Sequence, residues 1–268
     1  MQTMLAFLLL AVTFFSPQPD SSPALAGIAH VAFRVTDVQK SRDFYRTLGF
    51  EQSFEFNDPG KPPVSYIKIN DHQFIELYGR GNESQPVGLL HLCYEATSIE
   101  SLWNEYVMRG LHPPRGRKAR AGNLLFALHD PEGRTLEYTQ YLPGSLHFED
   151  RGKHLGESRV SRHLMRAVIH VQDVGPEHVF YTSKLGFQDV AAGVTIRMRL
   201  PGNSGDEIEL EATTTATKPI IVFTVANLAR AAESLRSRSL TVKTNSDSVS
   251  VTDPDGVVIF FTLERRGP

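Results

Sequence analysis

Apolar residues recur along the chain with two different periods, and the two periods alternate. Residues 28–35 (IAHVAFRV) are largely apolar, which is typical of a buried strand. In the next segment, VQKSRDFYRTLGF, the residues Val38, Phe44 and Leu48 fall at helical spacing, and Gly49 stands where helices commonly end. Strand patterns follow in EQSFEF, SYIKI and QFIELY, separated by the turn-forming segments NDPGKPP and NDH. The pattern predicts a βαβββ unit.

The same unit recurs directly downstream. LLHLCYEA (residues 89–96) has a strand pattern, and SIESLWNEYVMRGL has a helical pattern that ends at Gly110. NLLFALHDPEGRTLEYTQY then predicts two strands joined by a tight turn at residues 130–133 (DPEG), because proline and glycine suit two positions of such a turn. Two βαβββ units therefore follow each other.

A longer repeat divides the chain into two modules. DFYRTLGF (residues 43–50) recurs as VFYTSKLGF, and DPEGRTLEY (residues 130–138) recurs as DPDGVVIFF. We therefore predict a first module over residues 27–143 and a second over residues 164–268. The polar, glycine-bearing segment 144–163 has no sustained apolar period and is predicted to be a connector.

Composition and charge narrow the class of protein. The chain has 268 residues, of which 41% are hydrophobic and 22% charged, as is usual for globular proteins. Its 28 Lys and Arg residues nearly balance 30 Asp and Glu residues, and no basic stripe is present, so nucleic acid is not an expected partner. The single cysteine, Cys93, excludes an internal disulfide.

The N-terminus predicts a signal peptide. Residues 4–15 (MLAFLLLAVTFF) are apolar and uncharged, and Ala24-Leu25-Ala26 forms an A-x-A cleavage site. We therefore expect residues 1–26 to be removed and the mature protein to be secreted or periplasmic, without membrane association. An uncleaved anchor is the alternative, because the first 33 residues contain no Lys or Arg.

Two histidines and two glutamates occupy matched positions in the two βαβββ units of the first module. His30 and His91 lie on the first strand of each unit, and Glu76 and Glu137 lie on the last strand. Glu76 follows His30 by 46 residues, and Glu137 follows His91 by the same number. A pseudo-twofold axis between the units would bring all four side chains together.

This set of side chains is suited to one divalent metal ion. Two imidazoles and two carboxylates fit Zn, Ni, Co, Mn or Fe(II) and leave two positions of an octahedron open. Each residue taken alone has a simpler interpretation, as a hydrogen-bonded core histidine or a solvated glutamate. The matched spacing of all four favours the metal, because buried carboxylates need a partner.

The same residues carry a resemblance to a known family. HVAFRVTDVQKSRDFYRTLGF, FIELY, HLCYEATSIESL and DPEGRTLEY resemble the vicinal oxygen chelate superfamily, which includes glyoxalase I, methylmalonyl-CoA epimerase, extradiol dioxygenases and the fosfomycin and bleomycin resistance proteins. The resemblance implies an α+β fold of tandem paired βαβββ modules, in which mixed sheets form cups with helices outside. It also implies that the metal ligands are His30, Glu76, His91 and Glu137.

The second module lacks this set of ligands. Alignment of the repeats places Arg166 opposite His30, Ile220 opposite His91 and Phe260 opposite Glu137. Of the four ligand positions, only that of Glu76 has the same residue in the second module, which is Glu209. We therefore expect no metal there, and expect this degenerate module to cover a sheet face of the first module or to shape its cup.

Three functions are compatible with the resemblance. The first is a lyase or isomerase of the glyoxalase or epimerase type, acting on a small substrate with two adjacent oxygens, in which Glu137 or Glu76 moves a proton. The second is an Fe(II) extradiol ring-cleaving dioxygenase that uses His30, His91 and Glu137. Gln73 and Ala127 weaken it, because they stand near the positions where the resemblance implies an acid–base histidine and a tyrosine.

The third function is non-catalytic binding of a small molecule. Each of the three functions is compatible with either a monomer or a homodimer. The remaining histidines fall mostly in turns or in the connector, where we expect solvated side chains, although His72 and His129 flank the strands of the two glutamates.

Overall fold

The computed structural model describes residues 25–191, 195–215 and 218–264. The predicted signal peptide lies outside these residues except for Leu25 and Ala26, which begin the first strand. Leu25 is buried and pairs with Ala96. Within the described ranges, no helix is both long and apolar enough to cross a membrane.

The first module forms one eight-stranded mixed sheet. Its strands are β1 (Leu25–Val35), β2 (Glu51–Phe56), β3 (Val64–Lys68), β4 (Phe74–Gly79), β5 (Gly88–Ala96), β6 (Arg117–Lys118), β7 (Leu124–His129) and β8 (Thr135–Gln140). Helix α1 (Val38–Thr47) follows β1, and α2 (Ile99–Met108) follows β5. The strand order is β2-β3-β4-β1-β5-β8-β7-β6. The prediction of two βαβββ units is confirmed, and their first and last strands occupy the centre of the sheet.

The second module repeats this arrangement. Its strands are β9 (His163–Val171), β10 (Gln188–Ala191), β11 (Ile196–Arg199), β12 (Glu207–Ala212), β13 (Ile220–Val225), β14 (Lys243–Thr244), β15 (Ser248–Thr252) and β16 (Val258–Leu263), in the order β10-β11-β12-β9-β13-β16-β15-β14. Its helices are α4 (Val174–Val179), which continues into a π-helical turn (Phe180–Lys184), and α5 (Leu228–Ser237). Between the modules, α3 (Leu146–Glu149) forms within the predicted connector.

Local sequence explains where the first helix begins and ends. The Asp37 side chain caps α1 by accepting a hydrogen bond from the backbone amide of Lys40, at 3.1 Å. Gly49 follows the helix with a φ of 86°, and a Cβ there would lie 2.5 Å from the carbonyl oxygen of Ser158. Glycine is therefore required both by the backbone conformation and by the close approach of the connector.

The first sheet curls until its two edges meet. Phe56 ends edge strand β2, and Arg120 follows edge strand β6. The guanidinium of Arg120 lies 3.8 Å from the centre of the Phe56 ring and donates to Asp58 at 2.6 Å. This contact between the edges closes the sheet into a cup, and its inner face is the one that carries His30.

Buried polar contacts fasten the second module to the strands of the first. The Asp206 carboxylate accepts a hydrogen bond from the backbone amide of Ile28 at 2.7 Å, beside the start of β1. The side-chain amide of Gln73 donates to the carbonyl of Leu164 and accepts from its N–H, both at 2.8 Å. Gln73, directly before β4, therefore joins the first module to β9, and its side-chain amide forms hydrogen bonds between the modules.

Candidate metal centre

The four predicted ligands lie on the four central strands of the first sheet. Glu76 is on β4, His30 on β1, His91 on β5 and Glu137 on β8, and these strands are neighbours in that order. β1 and β5 are antiparallel, whereas each pairs in parallel with the strand of its own glutamate. The structure thus brings together the four residues that the repeated spacing singled out.

Donor atoms of these residues lie close together around the two imidazole rings. The Nε2 atoms of His30 and His91 are 3.1 Å apart, and Oε2 of Glu137 lies 3.8 Å and 3.6 Å from them. Oε2 of Glu76 lies 3.9 Å from the His91 Nε2. Ligands about 2.1 Å from one divalent ion stand about 3 Å from each other, so these distances are close to those around one ion, and each glutamate forms a compact group of donors with His30.

Burial places the two imidazoles in the protonation state that a metal requires. Burial is the main cause that lowers the pKa of His30 well below its usual value, and the nearby His91 and His147 add to it. Burial also lowers the pKa of His91 to about 4. Both rings are therefore neutral at pH 7 and have a lone pair to donate.

The two carboxylates respond to burial in the opposite direction. Burial raises the pKa of Glu76 to about 8, and the charge of Glu137 adds to the effect. Burial also raises the pKa of Glu137, against a smaller lowering by Arg117. Two carboxylates with no cation beside them thus hold protons unusually tightly, and a divalent ion would compensate their charge.

Metal affinity is expected to rise with pH in the neutral range. An ion must displace the proton that Glu76 keeps below about pH 8, whereas His91 has already lost its proton well below that pH. The association constant for Zn²⁺ should therefore increase about tenfold per pH unit from about pH 6 to pH 8 and then level off. Calorimetric titrations at several pH values measure this slope, and an affinity that does not change over this range would contradict it.

A tyrosine holds one of the two carboxylates in place. The Tyr78 hydroxyl donates a hydrogen bond of 2.8 Å to Oε2 of Glu76, and a further hydrogen bond joins the hydroxyls of Tyr78 and Tyr66. The side chain of Glu76 is only 4% exposed. Partners of this kind orient a metal ligand and commonly contribute to metal affinity.

The Tyr78→Phe variant is expected to bind Zn²⁺ about tenfold more weakly than the parent protein, because Glu76 loses the group that orients it. Tyr94→Phe is the matched control: the Tyr94 hydroxyl is also buried but has no hydrogen-bond partner in the described residues. Competition with a chromogenic chelator measures both affinities. Equal affinities in the two variants would show that Tyr78 does not orient the ligand.

Burial along the strands shows which end of the cup is open. The first four residues of β5 and the last two of β4 are partly exposed, whereas the opposite ends of both strands are buried. The side chain of Glu137 is 20% exposed and that of Glu76 is 4% exposed. Glu137 therefore faces the mouth of the cup, and Glu76 lies deep in its wall.

The connector closes the other end of the cup, and here one expectation was wrong. His147, which we expected to be solvated, is 2% exposed and stacks on Tyr141 with ring centres 4.4 Å apart. Edge contacts with Phe54, Tyr66 and Phe74 complete an aromatic cage around it. A four-residue helix in a polar segment gives no sequence signal that its histidine will be buried.

A buried ion pair fixes the connector in this position. Nζ of Lys68, on β3, lies 2.9 Å from Oδ2 of Asp150 and 2.9 Å from Oδ1 of Asp71. Lys68 is completely buried, and Asp150 follows α3 directly. The pair therefore holds the floor of the cup against its wall.

Other candidate residues near the centre differ from the four ligands in their surroundings. The Cys93 sulfur lies within 4.8 Å of donor atoms of His30 and Glu137, but burial raises its pKa well above the usual value, which keeps the thiol protonated. The exposed His72 ring pairs with Glu95 at 2.8 Å, and His129 is exposed at the end of β7.

In the second module, an ion pair occupies the positions that correspond to His30 and Glu76. Nε of Arg166 lies 3.0 Å from Oε2 of Glu209, and Nη1 lies 3.3 Å from Oε2 of Glu207. The guanidinium already provides a positive charge beside these carboxylates. The potential metal-binding groups found in the described residues both lie in the first module.

Comparison with known proteins agrees with this fold. Residues 27–138 match the family model of the Glyoxalase/Bleomycin resistance protein/Dioxygenase superfamily. The first module belongs to this superfamily. Its other name is the vicinal oxygen chelate superfamily, so the family prediction is confirmed. No curated protein sequence matches the chain.

Solved structures extend the likeness in fold to both modules. The Mn(II)-bound glyoxalase from Novosphingobium aromaticivorans is 16% identical with a TM-score of 0.69, over 91% of this chain and 84% of that one. The 2,3-dioxygenase LapB from Pseudomonas sp. KL28 is 14% identical with a TM-score of 0.68, over 92% of this chain and 95% of that one. An extradiol ring-cleaving dioxygenase from B. fuscum is 17% identical with a TM-score of 0.66, over 93% and 75% of the two chains. The predicted tandem fold is therefore confirmed.

Proposed function

We propose that the protein is a divalent-metal-dependent enzyme of the glyoxalase or epimerase type, a lyase or isomerase for a small substrate with two adjacent oxygens. The observation that carries this proposal is the convergence of His30, Glu76, His91 and Glu137 in a cup that opens at one end. A bound ion such as Zn, Ni, Co, Mn or Fe(II) would polarise the substrate oxygens as a Lewis acid.

The two carboxylates have different freedom to act on a substrate. Tyr78 and nearly complete burial hold Glu76 in place. Glu137 is more exposed, faces the mouth, and receives no side-chain hydrogen bond from the described part of the chain. We therefore assign to Glu137 the removal and return of a proton at the carbon beside the substrate carbonyl. Its raised pKa brings it closer to neutral pH, as this role requires.

The floor of the cup supports the same chemistry. Tyr141, Phe74 and the buried His147 close the end opposite the mouth, so water enters mainly from the substrate side. Exclusion of water strengthens the electrostatic interactions on which proton transfer depends. The second module contributes by fixing β1 and β4 through Asp206 and Gln73.

A second function, Fe(II) extradiol ring cleavage, is favoured by one observation. Two dioxygenases share the fold over more than nine-tenths of this chain. The side chain of Gln73 speaks against it, because it forms hydrogen bonds between the modules near the position where the resemblance implies an acid–base histidine.

Deuterium exchange and oxygen uptake separate these functions. Protein loaded with Zn²⁺, Mn²⁺, Ni²⁺ or Co²⁺ is incubated in D₂O with hydroxyacetone and glycolaldehyde, and proton NMR follows exchange beside the carbonyl. Fe²⁺-loaded protein is incubated with catechol in an oxygen electrode. We expect deuterium exchange in the parent protein and in the matched control Glu95→Gln, and loss of exchange in Glu137→Gln. We expect no oxygen uptake.

Each other outcome has a distinct meaning. Oxygen uptake without exchange would replace the proposal with ring cleavage. Calorimetric binding of the hydroxycarbonyls to the loaded protein, with neither reaction, would make it a non-catalytic binding protein.

A further inference from the structure

One basic side chain on an edge strand of the first sheet lies on the metal-binding face. In the register of the sheet, Arg117 on β6 lies opposite Leu125, and Leu125 lies opposite Thr139. Thr139 is two residues from Glu137 on β8, and residues two apart share one face of a sheet. Arg117 therefore lies on the same face as Glu137.

The guanidinium of Arg117 has no carboxylate partner among residues 25–191, 195–215 and 218–264. It is exposed at the edge of the sheet. Two strand spacings, roughly 10 Å, separate Arg117 from the strand of Glu137, so it reaches the far end of a molecule bound at the centre rather than its chelating oxygens.

Neighbouring basic residues are already engaged or face away. Arg115 lies 3.5 Å above the Trp103 ring, and Arg120 donates to Asp58. Lys118 follows Arg117 on the same strand and therefore points to the opposite face. Arg117 is thus the basic residue of this segment that is available to a ligand in the cup.

An aromatic wall lies at the opposite edge of the same sheet. Tyr66 is opposite Glu76 in the register of the sheet, and Phe54 is opposite Tyr66 and stacks on it at 4.2 Å. Phe56 continues this wall toward the rim, and both phenylalanines are partly exposed. A flat apolar group would pack well against these rings.

We propose that the substrate combines a flat apolar body with a carboxylate distant from its two chelating oxygens, and that Arg117 binds this carboxylate. The proposal rests on the proposed metal-dependent function and adds the substrate class to it. A guanidinium matches a carboxylate with two parallel hydrogen bonds, and Phe54 and Phe56 would contact the body between the two ends.

Two chelating probes that differ in one carboxylate test this inference. Benzohydroxamate presents two adjacent oxygens on a flat ring, and 4-carboxybenzohydroxamate adds the distal carboxylate. Their dissociation constants for Zn²⁺-loaded protein are measured by calorimetry for the parent, Arg117→Gln and Lys118→Gln. Lys118→Gln removes the same charge from the next residue, on the opposite face.

In the parent protein, we expect the carboxylated probe to bind about fivefold more tightly, a size typical of an exposed charge pair. Arg117→Gln should remove this preference without changing the affinity for benzohydroxamate, and Lys118→Gln should leave both affinities unchanged. Equal affinities of the parent for both probes, or equal effects of the two variants, would overturn the inference. If loaded parent protein bound neither probe, the proposed chelation itself would fail, which is a different result.

Discussion

Replacing His30 by alanine is expected to weaken the binding of Zn²⁺ at least about hundredfold, because one of four donors is lost and cannot be replaced from the buried wall around it. The remaining imidazole of His91 would keep only the two carboxylates as partners. Equilibrium dialysis against buffered Zn²⁺ measures the effect, and Glu137→Ala should show a loss in the same direction.

His129→Ala is the control for this variant. His129 lies on β7, the neighbour of the strand that carries Glu137, but is exposed at its end, so its removal should leave Zn²⁺ affinity unchanged. Thermal unfolding of the metal-free proteins shows whether each variant is folded. A folded His30→Ala protein that kept the parent affinity would mean that the convergence of these side chains does not bind metal.

Lys68→Met is expected to lower the free energy of unfolding by about 3 kcal/mol, the largest stability effect that we predict for a single substitution. The variant leaves Asp150 nearly buried without the ammonium that compensates its charge. Removing one partner of a buried ion pair is costly, because the other charge cannot recover its hydration. Urea unfolding measures the change.

Lys61→Met provides the comparison, since Lys61 pairs with Asp58 but is 71% exposed. Exposed pairs contribute little, so this variant should lose less than about 1 kcal/mol. Equal losses in the two variants would show that the Lys68–Asp150 contact does not hold the connector against the cup. The Lys68→Met/Asp150→Leu double variant should recover part of the stability, because no unpaired charge then stays buried.

The repeated sequence pattern predicted the fold and the candidate ligands because both depend on short-range periodicity. Alternation along strands and the helical spacing of Val38, Phe44 and Leu48 define each βαβββ unit. Each unit places its first and last strands at the centre of the sheet. The repeated spacing was therefore sufficient to predict that His30 and Glu76 lie near the matching residues of the second unit, His91 and Glu137.

Contacts between distant parts of the chain could not be predicted in this way. His147 is held in the cup by the ion pair between Lys68 and Asp150, which are 82 residues apart. No short-range pattern in the sequence indicates such a contact. The role of Gln73 depends in the same way on Leu164, 91 residues downstream. Arg117 was also missed, because its position on the inner face follows from the register of a two-residue edge strand.

The most direct test of the metal centre is elemental analysis of the untagged protein, purified from metal-supplemented culture and compared with the His91→Ala variant. We expect about one divalent ion per chain in the parent and a large loss in the variant, because His91 supplies one of the donors. Parent protein that is folded and yet holds no divalent ion, even after dialysis against Zn²⁺ at pH 8, would contradict it.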